Sequence, residues 1–400
     1  MVSLKQISAL FVSVVVAAAL IYFGISERSE FFKDSVLTNK VYNPIILRKD
    51  HENISNHLIS DGLPGQPSQV QFNQYAGYIT VDELKGRSLF NYFVEAAGVE
   101  PFKKPVILWL NGAQDSFVFL LKWFQMVLMY KKNEFYIAGE SYAGVFIPEL
   151  ATVILQHNHH AEASFTIRLK GIMIGNGFMN PKTDFRGIYD YMWTHALISD
   201  ETHHGLIKYC IESSSSKCLL FCGRLGHEMG RTNVYSLYSE YCFPNSSFNN
   251  NRAEIDPCDK NYVSAYMNLP EVRKALHANK TQLPYPWSLC SSMIQGWGDR
   301  QTNMFPLYRK LISAQLHILV YSGDVDAVVP VTSTRYSINA MKLRIRTSWK
   351  PWYDDTQQVA GFRVEYDGLT FMTVLGAGHE VPRYQPRKAF SLLKFFLEGM

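Results

Sequence analysis

Three residues of this chain combine a reactive side chain with a setting that would make it useful: Ser141, Asp326 and His379. Ser141 lies in Gly139-Glu-Ser-Tyr-Ala-Gly144, directly after the apolar stretch Phe135-Tyr-Ile-Ala138 and directly before a helical pattern. A serine raised on a tight strand-to-helix turn presents its hydroxyl clear of the backbone, and the turn tolerates only small residues two positions to either side. Gly139 and Ala143 meet that requirement, although Ala143 stands where the strict pattern has glycine. Such a serine needs a base and an acid from later loops, in the chain order Ser, Asp, His. Leu316-His-Ile-Leu-Val-Tyr-Ser-Gly-Asp324-Val-Asp326-Ala-Val-Val-Pro330 offers the acid, and Asp326, just past the turn, is preferred to Asp324. Val374-Leu-Gly-Ala-Gly-His379-Glu-Val-Pro382 offers the base. In that arrangement His379 Nε2 takes the Ser141 proton while Asp326 holds Nδ1–H and fixes the tautomer.

Each of the three must be held by a strand that ends just before it, and the hydrophobic pattern supplies such strands. Tyr75–Val81 and Ser88–Val94 alternate and are joined by a polar turn, which predicts a hairpin. Val106–Leu110, Phe135–Ala138, Ile167–Ile174, Leu316–Tyr321 and Phe371–Leu375 are short continuous apolar runs, as expected of strands buried on both faces. Helical patterns cover 117–130, 143–157 and 388–397. The alternation predicts an open, mostly parallel sheet with helices on both sides. Between Thr183 and Pro286 the pattern is irregular and reads as an insertion over the strand ends, with Pro244–Glu254 its most exposed loop.

Composition bounds the rest. The 400 residues are 47% hydrophobic and 18% charged, enough apolar material for a large core and too little charge for a disordered chain. The net charge of +4 is spread without a basic run, so no nucleic-acid partner is expected. Residues 1–26 contain an almost unbroken apolar run from Ile7 to Phe23 and read as a secretory signal peptide or a signal anchor, followed by a poorly defined segment to residue 60 and a single domain over 61–400. Entry into the secretory pathway, with an extracellular or vacuolar destination, agrees with six cysteines, all beyond residue 200, and with the sequons at Asn53, Asn245 and Asn279. No cysteine pair has zinc spacing with nearby histidine, and His157, His159 and His160 read as a solvated helix end, so neither metal nor cofactor is expected.

Eight stretches together resemble the plant serine carboxypeptidase-like proteins, peptidase family S10 on the α/β-hydrolase fold, from about Asp61 onward. They are Leu63–Pro67, Gln74–Tyr78, Trp109–Gly112, Phe135–Gly144, Ile174–Gly177, Trp193–Asp200, Tyr321–Arg335 and Gly376–Pro382. The resemblance implies release of C-terminal residues from peptides through an acyl-enzyme on Ser141, or acyl transfer by the same serine, with dimerisation as some relatives show. It implies that the Tyr142 backbone N–H forms half of an oxyanion hole. It further implies that Asn111, Gly112 and Glu140 bind the substrate's terminal carboxylate, Glu140 in its protonated form. It implies disulfides Cys210–Cys222 and Cys242–Cys258, leaving Cys218 as an extra thiol that competes for Cys210 or pairs with Cys290.

One departure from that family is large. Its members continue the Trp-Leu-Asn-Gly motif with a Gly-Pro-Gly-Cys-Ser-Ser stretch, a helix and a strand before the helix that leads to the nucleophile. Here Gly112 runs straight into Ala113-Gln-Asp-Ser-Phe-Val-Phe, which resembles that later helix. The stretch from Gly112 to Ser141 has room for one strand–helix–strand connection of about 30 residues and not for two. The second oxyanion glycine, part of the cleft, an internal strand and the cysteine that would pair with Cys290 are expected to be missing, and a non-catalytic or truncated relative is the alternative this raises.

Overall fold

The computed structural model describes residues 53–67, 70–110, 115–161, 166–212, 215–243, 256–281, 284–289 and 302–398. The leader, Asn111, Gly112, Ala113, the 244–254 loop with Asn245, and Cys290 lie outside the described residues. In chain order the elements are β1 (Gln74–Asp82), β2 (Arg87–Val94), β3 (Val106–Leu110), α1 (Ser116–Met126), β4 (Phe135–Glu140) and α2 (Ala143–His160). There follow β5 (Leu169–Gly175), α3 (Pro181–Thr194), α4 (Asp200–Cys210), α5 (Ser216–Met229), α6 (Asp259–Met267), α7 (Pro270–Ala275) and α8 (Phe305–Ser313). The chain closes with β6 (His317–Gly323), α9 (Val331–Ala340), β7 (Ile345–Tyr353), β8 (Val359–Tyr366), β9 (Leu369–Val374), α10 (Val381–Tyr384) and α11 (Pro386–Glu398).

Seven strands form one sheet in the order β3-β4-β5-β6-β9-β8-β7, while β1 and β2 form a separate antiparallel hairpin. The pairs from β3 through β4, β5 and β6 to β9 are parallel, and β9–β8 and β8–β7 are antiparallel. Residue alternation explains why the central strands read as continuous apolar runs. Ile137, Ile172, Ile174, Ile318 and Val320 face one cluster with α1, α2, α8 and α9, whereas Tyr136, Ala138, Met173, Leu319 and Tyr321 face another with Leu392 and Phe396 of α11. Both faces are therefore dry, as a parallel sheet requires. The single crossover expected between β3 and Ser141 is present: β3 reaches β4 through α1.

Several expectations need correction. The insertion over 183–286 is largely helical rather than irregular, containing most of α3 and all of α4 to α7. Three of its helices begin with side-chain caps from Asn180, Ser199 and Ser215, so local hydrogen bonding helps set where they start. The strands β7 and β8 were not anticipated; β7 is an exposed edge strand, contains Pro351 and buries only Trp352, a pattern that carries little alternation signal. Two helix limits also differ: the 117–130 pattern ends at Met126 and continues as a 3₁₀ turn, and α2 extends to His160. His157 is not solvated as expected but buried edge-on against Phe117, while His159 and His160 are exposed.

Cys242 and Cys258 form a disulfide. The other bond joins Cys210 to Cys218, not to Cys222. Cys218 and Cys222 lie one helical turn apart and so share a face of α5. Both turn toward the end of α4, and the bond forms at the position nearer the connecting turn. The free Cys222 sulfur lies 3.8 Å from Cys218 Sγ and 4.0 Å from Cys210 Sγ.

Candidate active site

Ser141 follows β4 with φ of +63°, a left-handed conformation that a serine adopts only at a cost of about 1–3 kcal/mol. The turn is fixed from both sides: Ser141 N–H donates to Gly175 O at 3.0 Å and Phe178 N–H to Ser141 O at 3.1 Å. Its small neighbours are required by space. A Cβ on Gly139 would stand 2.3 Å from Leu110 O and 2.8 Å from the Ala143 Cβ, and one on Gly144 would stand 2.3 Å from Phe178 O. Tyr142 is the N-cap of α2, so its backbone sits at the positive end of an 18-residue helix.

Asp326 and His379 arise from the loops after β6 and β9, adjacent strands of the sheet. Asp326 Oδ2 accepts from His379 Nδ1 at 2.8 Å and both groups are buried. Val328 N–H donates to Asp326 Oδ1 at 2.7 Å and Val329 N–H to Oδ2 at 3.1 Å. A further donor, Asn176 Nδ2, lies 2.7 Å from Oδ2. Asp324, the other acid of the same loop, accepts from Gly376 N–H at 2.7 Å and so ties the two loops together. Burial opposes charge on the His379 ring, but the attraction and hydrogen bond of Asp326, with Glu140 and Glu380 behind, outweigh it and raise the imidazole pKa.

Glu140, beside Ser141 in the chain, is pushed up to about 7, chiefly by burial, with His379 pulling down and Glu380 and Asp326 pushing up. Its Oε2 is buried without a hydrogen-bond partner among the described residues. A carboxyl group in that condition is neutral at mildly acidic pH and can donate to an acceptor.

Sequence reading missed the contribution of the insertion. Tyr235 O accepts the His379 backbone N–H at 2.7 Å, Val234 O accepts Ala327 N–H at 2.9 Å, and Leu237 N–H donates to Val325 O at 3.0 Å. The Tyr235 ring meets the His379 ring edge-on at 5.3 Å between centroids and carries Lys260 Nζ 4.0 Å from its own centroid. Lys260 also pairs with Glu380 at 2.9 Å, and Arg383 bridges Glu380 and Asp259. Apart from the Glu380–Arg383 pair, no local spacing announces these contacts, because they join residues far apart in the chain. Of the expected sequons, Asn53 and Asn279 are both exposed. Three cysteine sulfurs, from Cys210, Cys218 and Cys222, gather within 4.8 Å of one another, but two are already joined to each other.

A family model described as serine carboxypeptidase matches residues 64–112 and 113–399, which is most of the chain. This protein belongs to the serine carboxypeptidase family. Among its relatives in Arabidopsis thaliana, Serine carboxypeptidase-like 27 is 37% identical over 419 residues, covering 84% of this chain and 91% of that one. Serine carboxypeptidase 24 from the same plant is 35% identical over 426 residues, with 84% and 91% covered. The fold is similar to that of Kex1(delta)p, described as a prohormone-processing carboxypeptidase from Saccharomyces cerevisiae. The match has a TM-score of 0.72 at 18% identity and covers 87% of this chain and 96% of that one. The α/β-hydrolase architecture expected from sequence is thus the one present. Membership and fold support chemistry of the carboxypeptidase-type hydrolase or acyltransferase kind.

Proposed function

We propose that this serine carboxypeptidase family member hydrolyses peptides at their C-terminal residue, using Ser141 as nucleophile, His379 as base and Asp326 as the acid that orients it. The observations that support the reading are the buried Asp326–His379 hydrogen bond at the ends of β6 and β9 and the positive φ of Ser141 at the end of β4 of the same sheet. His379 removes the Ser141 proton as the hydroxyl attacks the carbonyl carbon, and returns it to the leaving amine; water then releases the acyl group by the reverse sequence. The Tyr142 N–H, at the N-cap of α2, donates to the developing oxyanion. Asn111, Gly112 and a protonated Glu140 receive the substrate's terminal carboxylate, so the ligand is a peptide C-terminus and no cofactor is invoked. Acyl transfer to an alcohol would use the same groups and differ only in the acceptor.

The chain carries this chemistry in an impaired form. The family match breaks between Gly112 and Ala113, where the sequence passes directly into α1. An alignment of 419 positions that draws on 84% of a 400-residue chain also leaves the relative with unmatched positions. Loss of one oxyanion donor lowers turnover by about 10²- to 10³-fold. The reading also places the protein in the secretory pathway, supported by two disulfides and by exposed sequons. The test is hydrolysis of a blocked dipeptide by the 400-residue protein, by its Ser141→Ala variant, and by a version with the family's segment inserted after Gly112. The expected order is restored, then native chain, then variant. Equal rates for restored and native forms would show the deletion harmless, and equal rates for native and Ser141→Ala would remove Ser141 from the mechanism.

A further inference from the structure

Asn176 takes no part in the chemistry as so far described, yet it is fully buried and lies against Asp326. Its backbone has φ of +41°, at the end of β5, in the left-handed region that asparagine tolerates better than most residues. Its backbone N–H and both polar atoms of its side chain are engaged. Its N–H donates to Tyr321 O at 2.8 Å, and its Oδ1 accepts Gly323 N–H at 3.0 Å. Its Nδ2 donates to Asp326 Oδ2 at 2.7 Å and to Val329 O at 3.2 Å. The oxygen it holds is the same one that accepts from His379 Nδ1. A leucine of similar size would fill the space but leave the carboxylate oxygen one donor short.

We propose that Asn176 is a positioning residue for the hydrolytic reaction: its amide locks the Asp326 carboxylate between β5 and β6 so that Oδ2 faces the His379 ring. The proposal rests on the reading of Ser141, Asp326 and His379 as a triad. Asn176 follows β5, the strand between β4 and β6, so through its amide the carboxylate is tied to the sheet as well as to its own loop, whose Val328 and Val329 N–H groups also donate to it. A small rotation of the carboxylate would turn the imidazole, and misplacement of about 1 Å can cost on the order of 10²-fold in rate.

The experiment has two readouts on the full chain. One is the His379 Nδ1–H proton resonance, which reports the Asp326 bond without requiring Ser141 to react. The other is the rate of Ser141 labelling by a fluorophosphonate, resolved into its limiting rate and its apparent affinity at several pH values. His379 is surrounded by Asp326, Glu140, Glu380 with its partners Lys260 and Arg383, and Tyr235, and all of these are retained in the variants. Asn176→Leu is expected to shift or abolish the downfield resonance and to lower the limiting rate about 10- to 100-fold with little change in affinity. Asn176→Gly, which accepts positive φ without strain, should fold as well and show the same loss, separating the amide from the backbone conformation. Asn176→Asp should label at near wild-type rate at low pH, where its carboxyl donates in place of the amide, and lose ground to wild type as that group ionises beside Asp326. An unchanged resonance in folded Asn176→Leu or Asn176→Gly, or an Asn176→Asp to wild-type ratio independent of pH, would overturn the proposal. A wild-type chain unlabelled at Ser141 would instead overturn the triad reading, leaving the resonance to decide the role of Asn176.

Discussion

Glu140 carries a pH signature close to the candidate site. In the folded protein its pKa is raised from 4.5 to about 7, so above the ordinary carboxylate range the unfolded chain releases a proton that the folded state retains. The stability associated with the neutral group is present at low pH and is lost as pH rises through about 7. Glu140→Gln cannot ionise, so its stability should overtake that of wild type between those values and exceed it at pH 8 by on the order of 2–3 kcal/mol, measured by urea unfolding at pH 5 and pH 8. The same change removes a charge that favours the protonated His379 ring, and the acid limb of Ser141 labelling should move to lower pH. The tight turn at Ser141 was readable because a strand-to-helix turn of this kind imposes local steric rules: Gly139 stands where only a small side chain fits. Asn176 was not readable in that role, because an asparagine after a strand looks like any turn residue until Asp326, 150 positions away, is placed against it.

Among the elements, α4 and α5 show how a helix phase decides a covalent bond. With Cys218 and Cys222 on one face of α5, Cys210 has two partners within reach, and the nearer one holds it. Cys218→Ser should therefore yield a Cys210–Cys222 disulfide, seen by peptide mapping without reduction, whereas Cys222→Ser should leave Cys210–Cys218 intact. A free Cys210 in folded Cys218→Ser would show that α5 cannot present its second turn. The central strands were legible because both faces are covered and the sequence runs apolar. The edge strands were not, since β7 is solvated at almost every position and contains a proline. The insertion helices α3 to α5 were obscured by their polar sequences and by their serine and asparagine caps, which read equally well as loop residues.

At the scale of the molecule, β3 forms one edge of the seven-stranded sheet, and the β1–β2 hairpin makes its own sheet without pairing to it. An edge strand presents backbone groups with no strand partner on one side. Inserting the family's segment after Gly112 should therefore raise thermal stability as well as turnover, and calorimetry would detect a higher Tm. A Tm unchanged by the insertion would mean that β3 needs no further neighbour. The overall chain path was readable from alternation of strands and helices, but the separation of the hairpin was not, because pairing between distant strands leaves no local pattern.

The backbone of Val234–Leu237 grips the Asp326 loop and the His379 loop at once, through Ala327, Val325 and His379. Three segments joined in this way open together or not at all. In deuterated buffer the amides of Leu237, Ala327 and His379 should exchange with one common opening free energy, slower than the solvent-facing amides of α6. The Asp326 loop, the His379 loop and residues 234–237 are then a single cooperative unit. A destabilising change anywhere along residues 233–239 would be felt at His379 as a larger fraction of time spent open, without any change in the chemistry of the closed state.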